Sequence, residues 1–186
     1  MKAIILHGVG GYAGKHWMQS IHDFLISKNI EVIMPTLQNS ENPAYSDWMP
    51  VVQNIFQGLS ENDLKELIVI GHSMGIPAAL EVIQNLKAPI RGLFSAGGFY
   101  QDYGSPINTK FMSACNVDIQ KAKSNIKNAY VFYGDNDPYV PQAVLSNLAK
   151  GLGVDPIIIH KGGHLNTEAG FTVFKEMEVY LQNLLD

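Results

Sequence analysis

The stretch Leu67-Ile68-Val69-Ile70-Gly71-His72-Ser73-Met74-Gly75 decides the fold of this chain. Its first four residues form a short apolar run of the kind that a parallel sheet buries on both faces. The last five fit the G-x-S-x-G pattern of a tight strand-to-helix turn, and the segment from Met74 through Leu86 has helical spacing. Such a turn exposes the hydroxyl of Ser73 at the end of the sheet. The alternative is a serine that merely caps the helix.

Strand-like runs alternate with helix-like segments along all 186 residues, which is the pattern of a single α/β domain spanning residues 1–186. Six strands are predicted, at Lys2–His7, Glu31–Met34, Leu67–Gly71, Ile90–Ala96, Ala129–Tyr133 and Pro156–His160. Five helices are predicted, at Gly14–Lys28, Tyr45–Leu59, Met74–Leu86, Pro141–Gly151 and Phe171–Leu185. Right-handed crossovers then give a mainly parallel sheet of roughly six strands with helices on both faces.

Composition argues against several classes of protein. The formal net charge is −4 and the 13 Lys and Arg residues are scattered, so we expect no nucleic-acid partner and no membrane-surface partner. No apolar run is long enough to cross a bilayer, and the apolar stretch within Met1–Leu6 is too short for a signal peptide. Cys115 is the single cysteine, which excludes an internal disulfide and is typical of a cytoplasmic protein.

Residues that could form a catalytic site with Ser73 follow two later strands. A nucleophilic serine needs a base that removes its proton and a carboxylate that orients the base. His164 lies on a glycine-rich turn after the last predicted strand, and Asp137 lies in the loop after the fifth. We assign the competing Asp135 to the turn, because the Asp-Pro unit at Asp137 favours extended backbone and the residues after it resemble a helix start.

Backbone amides near Ser73 could bind a negatively charged oxygen. The amide of Met74 belongs to the strand-to-helix turn itself. A second donor is expected from the glycine-rich loop after the first strand, where Val9 is favoured over Gly10. Together these two amides predict an oxyanion hole made by Val9 and Met74.

The segment Gly97–Asn128 is long and irregular, with one short helix-like piece around Val117–Lys123. Connections of this length are often binding loops or lids. Four side chains near the catalytic edge of the sheet are expected to line a substrate pocket: Phe99, Tyr100, Tyr103 and His7. The alternative for the aromatic residues is core packing, which is the commoner fate of large apolar side chains. For His7 the alternative is a packing residue beside the site.

Other interpretations of these residues lead to different functions. Gly8-Val9-Gly10-Gly11-Tyr12-Ala13 also fits the G-x-G-x-x-G/A pattern of a dinucleotide site, but Met34-Pro35-Thr36 stands where an acidic residue should bind the ribose. His160 and His164 are separated by glycines, which argues against a helical metal motif. We therefore expect no cofactor and no metal. A hydrolase-like binding protein is the remaining alternative, because a fold does not guarantee activity.

Short motifs along nearly the whole chain carry a resemblance to a known family. They are His7-Gly8, His16-Trp17, Met34-Pro35, Asp47-Trp48, the Gly71–Gly75 turn, Asp137-Pro138 and Gly162-Gly163-His164. With them the chain resembles the α/β-hydrolases, whose catalytic residues follow the order Ser73, Asp137, His164. More narrowly, it resembles the small serine hydrolases grouped with retinoblastoma-binding protein nine and the YdeN-like proteins.

This resemblance implies an α/β-hydrolase fold with a minimal cap or none, lacking the two antiparallel strands that open the sheet of larger relatives. It also implies that Ser73, Asp137 and His164 match the family's catalytic triad. We expect an enzyme that hydrolyses a carboxylic ester, or a related small-molecule acyl substrate, through an acyl-enzyme intermediate. Ester, thioester and amide substrates remain open, and the sequence identifies no protein partner.

Overall fold

One parallel sheet organises the protein, and the computed structural model describes every residue from 1 to 186. The strands are β1 (Lys2–Leu6), β2 (Glu31–Ile33), β3 (Ile68–His72), β4 (Gly92–Ala96), β5 (Ala129–Gly134) and β6 (Ile157–Ile159). Their order across the sheet is β2-β1-β3-β4-β5-β6, and every neighbouring pair is parallel. The predicted α/β fold is therefore confirmed, with six strands and no antiparallel strand.

Eight α-helices connect or follow the strands. They are α1 (Met18–Ser27), α2 (Tyr45–Gln57), α3 (Glu61–Lys65), α4 (Gly75–Ile83), α5 (Pro106–Met112), α6 (Ile119–Ser124), α7 (Gln142–Leu152) and α8 (Lys175–Leu185). The sequence did not predict α3 and α5, because five and seven residues are too few to show a helical period. A capping box between Ser60 and Asp63 begins α3, and Pro106 occupies the first turn of α5.

Two predicted helices were too long at their N-terminal ends. The first was expected from Gly14 but begins at Met18, because Gly14 and His16 have φ angles of 86° and 60°, which no right-handed helix accepts. The last was expected from Phe171 but begins at Lys175. A short 3-10 turn comes first and ends at Gly170 with a φ of 91°.

Alternating side chains on the strands build two hydrophobic cores, one on each face of the sheet. In β1, Ala3 and Ile5 belong to one core, and Ile4 and Leu6 belong to the other. Helices α1 and α8 cover the first face, while α2, α4, α6 and α7 cover the second. Burial of this apolar surface, at about 25 cal/mol per Å², is the main stabilising contribution and holds the strand ends in place.

The long segment between β4 and β5 is part of this domain rather than a separate cap. It carries α5 and α6, and their buried side chains Phe111 and Ala122 pack into the second core. This agrees with the minimal cap that the resemblance implied. No helix of the protein combines the length and the apolar character that a membrane crossing requires.

Candidate active site

Ser73 lies in a strained turn between β3 and α4. Its φ of 52° is in the left-handed region, which few non-glycine residues adopt. Glycine at position 75 is required by steric fit, because a Cβ there would lie 2.6 Å from a backbone carbonyl oxygen of β1; a Cβ on Gly71 would lie 2.6 Å from the side-chain Cδ1 of Ile76. The Ser73 amide donates to the carbonyl of Ala96 at 2.9 Å. The turn therefore holds the serine at the carboxyl end of the sheet.

A buried hydrogen bond joins His164 to Asp137. Nδ1 of His164 lies 2.6 Å from Oδ2 of Asp137, and the two side chains are 8% and 0% exposed. Oδ1 of Asp137 accepts the backbone N–H groups of Tyr139 and Val140 at 2.9 and 3.0 Å. Because both carboxylate oxygens are fixed, they hold the imidazole in one orientation and leave its Nε2 without a partner in the protein.

The loop after β5 also holds the loop after β6 through its other two polar residues. Oδ1 of Asn136 accepts the N–H of Gly163 at 2.8 Å. Asp135 accepts the N–H of Lys161 at 2.7 Å and lies 2.8 Å from Nδ1 of His160. These hydrogen bonds, first the one from His160, lower the pKa of Asp135. The structure thus places Asp135 in an exposed turn and brings only its neighbour, two residues on, to His164.

Ser73 and His164 line the same cavity, which has a volume of about 560 Å³. Ser73 is 7% exposed, and its hydroxyl has no hydrogen-bond partner in the protein. Hydrogen bonds between a nucleophile and its base are often long or poorly aligned until a substrate is bound. The hydroxyl is therefore free to meet both an imidazole and a ligand.

Val9 and Met74 also line this cavity, and neither backbone amide donates to an acceptor within the protein. The amide of Gly10, by contrast, donates to a backbone carbonyl at 2.8 Å. A Cβ on Gly8 would lie 2.7 Å from Cβ of Ser73, so the loop after β1 passes directly beside the serine. The contacts favour Val9 over Gly10 as the free second donor.

Only some of the expected pocket residues reach the cavity. Phe99 and Tyr103 line it, whereas Tyr100 and His7 do not. Nδ1 of His7 lies 2.8 Å from the next residue's carbonyl oxygen, and its Nε2 accepts the N–H of Leu37 at 2.8 Å. The pocket prediction is wrong for His7 because the backbone uses both ring nitrogens. It is wrong for Tyr100 because this side chain packs against the second core.

His72, which precedes the serine, supports the backbone of His164. Its Nε2 donates to the carbonyl oxygen of His164 at 2.8 Å, and the two ring centroids are 4.8 Å apart. Burial lowers the pKa of His72 well below its usual value, and the nearby His164 lowers it further. His72 therefore remains neutral and holds the backbone of His164, while Asp137 holds the imidazole of His164.

Several polar residues of the cavity were not expected from the sequence. They come from the segments that follow four different strands: Lys15, His16, Glu41, Asn108, Asn166 and Glu168. No single motif links these residues, because the fold alone brings their segments together. The one available signal was the His16-Trp17 motif, which carries part of the family resemblance.

The glycine-rich loop after β1 does not have the geometry of a dinucleotide site. Such a site places the pyrophosphate at a helix N-terminus directly after the glycines. Here several residues separate Gly11 from Met18, where α1 begins. The loop instead lies beside the serine turn.

Comparisons with known proteins agree with this architecture. A model of the serine hydrolase family matches residues 3–183. The ydeN gene product of B. subtilis has a TM-score of 0.88 at 22% identity, with 99% of this chain and 98% of that chain covered. A hydrolase of Pectobacterium atrosepticum described as YdeN-like has a TM-score of 0.68 at 18% identity, covering 99% and 90%.

A carboxylesterase of the thaumarchaeon Nitrososphaera gargenis has a TM-score of 0.68 at 11% identity, covering 99% of this chain and 89% of that chain. No curated protein has a detectable sequence match. The structural neighbours are distant in sequence and show the fold, whereas the family model spans nearly the whole chain. The chain therefore belongs to the serine hydrolase family and has the α/β-hydrolase fold of the YdeN-like proteins.

Proposed function

We propose that the protein hydrolyses a carboxylic ester or a related acyl derivative, with Ser73 as the nucleophile. The observation that carries this proposal is the buried 2.6 Å contact between His164 and Asp137 at the cavity that the strained Ser73 also lines. Backbone strain and buried polar pairs both cost stability, and they are typical of functional sites. The carboxylesterase among the structural neighbours supports the ester as substrate class.

The first step acylates the serine. Nε2 of His164 removes the hydroxyl proton as Oγ of Ser73 attacks the substrate carbonyl carbon, and Asp137 stays ionised and stabilises the imidazolium. The carbonyl π electrons move to the oxygen, and the resulting oxyanion accepts the free N–H groups of Val9 and Met74. When the intermediate collapses, the bond to the leaving group breaks and His164 returns the proton to that group.

The second step releases the acid by the same route. A water molecule gives its proton to Nε2 of His164 and attacks the acyl carbon, which forms a second oxyanion at the same two amides. Collapse of this intermediate breaks the bond to Oγ of Ser73, and His164 protonates the serine. The carboxylic acid leaves and the free enzyme is restored.

Covalent labelling and turnover test this proposal together. A fluorophosphonate should form an adduct that peptide mass analysis locates at Ser73, and p-nitrophenyl esters of increasing chain length should be hydrolysed. Ser73→Ala should abolish both signals. Ser46→Ala, at an exposed serine of α2, is the matched control and should keep both. Labelling without turnover would contradict the ester class, and the absence of both would favour a binding protein.

A further inference from the structure

His16 lines the cavity beside Ser73 but has no part in the proposed triad. Its backbone φ of 60° lies in the left-handed region, in the loop between β1 and α1. A residue that is not glycine keeps such a conformation only where its surroundings hold it, and these residues concentrate at functional sites. The position of this imidazole therefore needs a physical explanation.

The contacts of His16 define which ring nitrogen carries the proton. Its Nδ1 accepts the backbone N–H of Thr167 at 3.0 Å and lies 2.9 Å from Oγ1 of that residue. A backbone N–H can only donate, so Nδ1 is unprotonated and the proton of the neutral ring is on Nε2. Burial lowers the pKa of His16, and the ammonium of Lys15 lowers it further. The ring therefore offers one donor, Nε2–H, because every hydrogen bond of this ring within the protein is made through Nδ1.

The neighbours of His16 place it on the side of the cavity that holds the base. Thr167 lies on the same loop as His164, after β6. The ring of His16 packs against the ring of His72, with centroids 5.3 Å apart, and the rings of His72 and His164 have centroids 4.8 Å apart. In the proposed reaction His164 protonates the leaving group, so that group lies near His164, and the loop that carries His164 is the one that His16 contacts.

We propose that His16 is a specificity-determining residue whose Nε2–H donates a hydrogen bond to an acceptor oxygen in the leaving group of the substrate. This inference rests on the proposed function and narrows its substrate class. The preferred substrate is an ester whose alcohol carries an ether, hydroxyl or carbonyl oxygen, rather than a plain alkyl ester. A hydrocarbon at this position leaves the donor unpaired, and such mismatches produce selectivity.

Two acetate esters that differ at one position of the alcohol chain, where an oxygen replaces a CH2 group, test this inference. Butyl acetate and 2-methoxyethyl acetate have alcohol groups of the same length, and only the second carries an ether oxygen. We expect the ratio of their kcat/KM values, methoxyethyl over butyl, to fall about fivefold in His16→Gly, since glycine accepts the φ of 60° and has no donor. Both esters are measured on one preparation, so the ratio is independent of the folded fraction, and intrinsic ester reactivity cancels between the two proteins.

The matched control is His22→Ala, at a histidine of α1 that contacts Asp23 outside the cavity. Its ratio should equal that of the unmodified protein. An equal ratio in His16→Gly as well would overturn the inference.

A covalent probe separates this inference from the proposed function. A fluorophosphonate requires only a reactive Ser73, because its leaving group is fluoride and carries no alcohol chain for His16 to bind, so it should label both the unmodified protein and His16→Gly. Labelling of Ser73 in His16→Gly together with an unchanged ester ratio would overturn the role of His16 and leave the hydrolase proposal standing. If the unmodified protein shows no labelling and no turnover, that result contradicts the hydrolase proposal, and with it the inference.

Discussion

Two aspartate–histidine pairs lie close together at the carboxyl end of the sheet, and burial distinguishes them. Asp135 and His160 are 2.8 Å apart with side chains 39% and 79% exposed, whereas Asp137 and His164 are 2.6 Å apart and 0% and 8% exposed. Solvent competes with the first pair and screens it, but it is excluded from the second. Residue types and distances alone thus do not distinguish the pair that we propose to be catalytic from its neighbour; burial and a shared cavity with the serine do.

Replacing the buried carboxylate gives the largest effect that this comparison predicts. Asp137→Asn should lower kcat by about four orders of magnitude with little change in the fold, because an amide cannot hold the imidazole in the required tautomer. Steady-state hydrolysis of a p-nitrophenyl ester measures the loss. A decrease of less than about tenfold would show that the buried pair does not support the base.

Protonation of the surrounding histidines gives the next largest effect. His7 and His72 are buried next to the site, and desolvation lowers the pKa of each in the folded protein. The unfolded chain therefore binds protons that the folded protein does not bind as the pH falls below about 6.5. The free energy of unfolding should decrease there by up to about 1.4 kcal/mol per pH unit for each histidine.

Urea denaturation at about pH 7.5 and about pH 5.5 measures this decrease. His72→Gln removes one titrating ring and should reduce the change in unfolding free energy between the two pH values. Equal unfolding free energies at the two pH values in the unmodified protein would contradict a neutral, buried His72.

Replacing the exposed carboxylate gives the smallest effect. Asp135→Asn should leave kcat within about twofold, because its partner His160 does not line the cavity. Hydrogen bonds lower the pKa of Asp135 in the folded protein, so its ionised form stabilises the fold above about pH 4, and this contribution is lost as the pH falls further. The Tm difference between the two proteins should therefore be present near pH 7 and shrink below about pH 4. A large loss of turnover in Asp135→Asn would remove the distinction between the two pairs.

The parts of the site that the sequence predicted depend on local sterics. The turn at Gly71–Gly75 depends on the close approach of Gly75 to the backbone at the end of β1, which leaves no room for a larger residue. The choice of Asp137 over Asp135 likewise followed from the proline next to it. Strand positions were predictable because a buried parallel strand needs an unbroken apolar run.

The parts that were missed depend on tertiary structure. Neighbouring residues Phe99 and Tyr100 look equivalent in the sequence, and both pack in or against the second core, yet only Phe99 also lines the cavity. The predicted helix from Gly14 includes His16, but in the structure His16 has a left-handed backbone outside α1. Its contact with Thr167, from the far end of the chain, is a tertiary one that the local pattern does not show. Helix α3 was missed because five residues are too few to show a hydrophobic period, although a capping box between Ser60 and Asp63 begins it.

The hydrogen bonds that hold the loop after β6 join segments from opposite ends of the chain, which are synthesised at different times. Trp17 donates to the carbonyl of Leu165 across 148 positions of the chain, and His16 meets Thr167 across 151. A nascent chain can form the serine turn and most of the sheet while His164, the proposed base, is still within the ribosome. In the proposed mechanism, hydrolytic competence therefore arises late, when β6 joins the edge of the sheet and the loop after β1 forms its hydrogen bonds with the loop after β6.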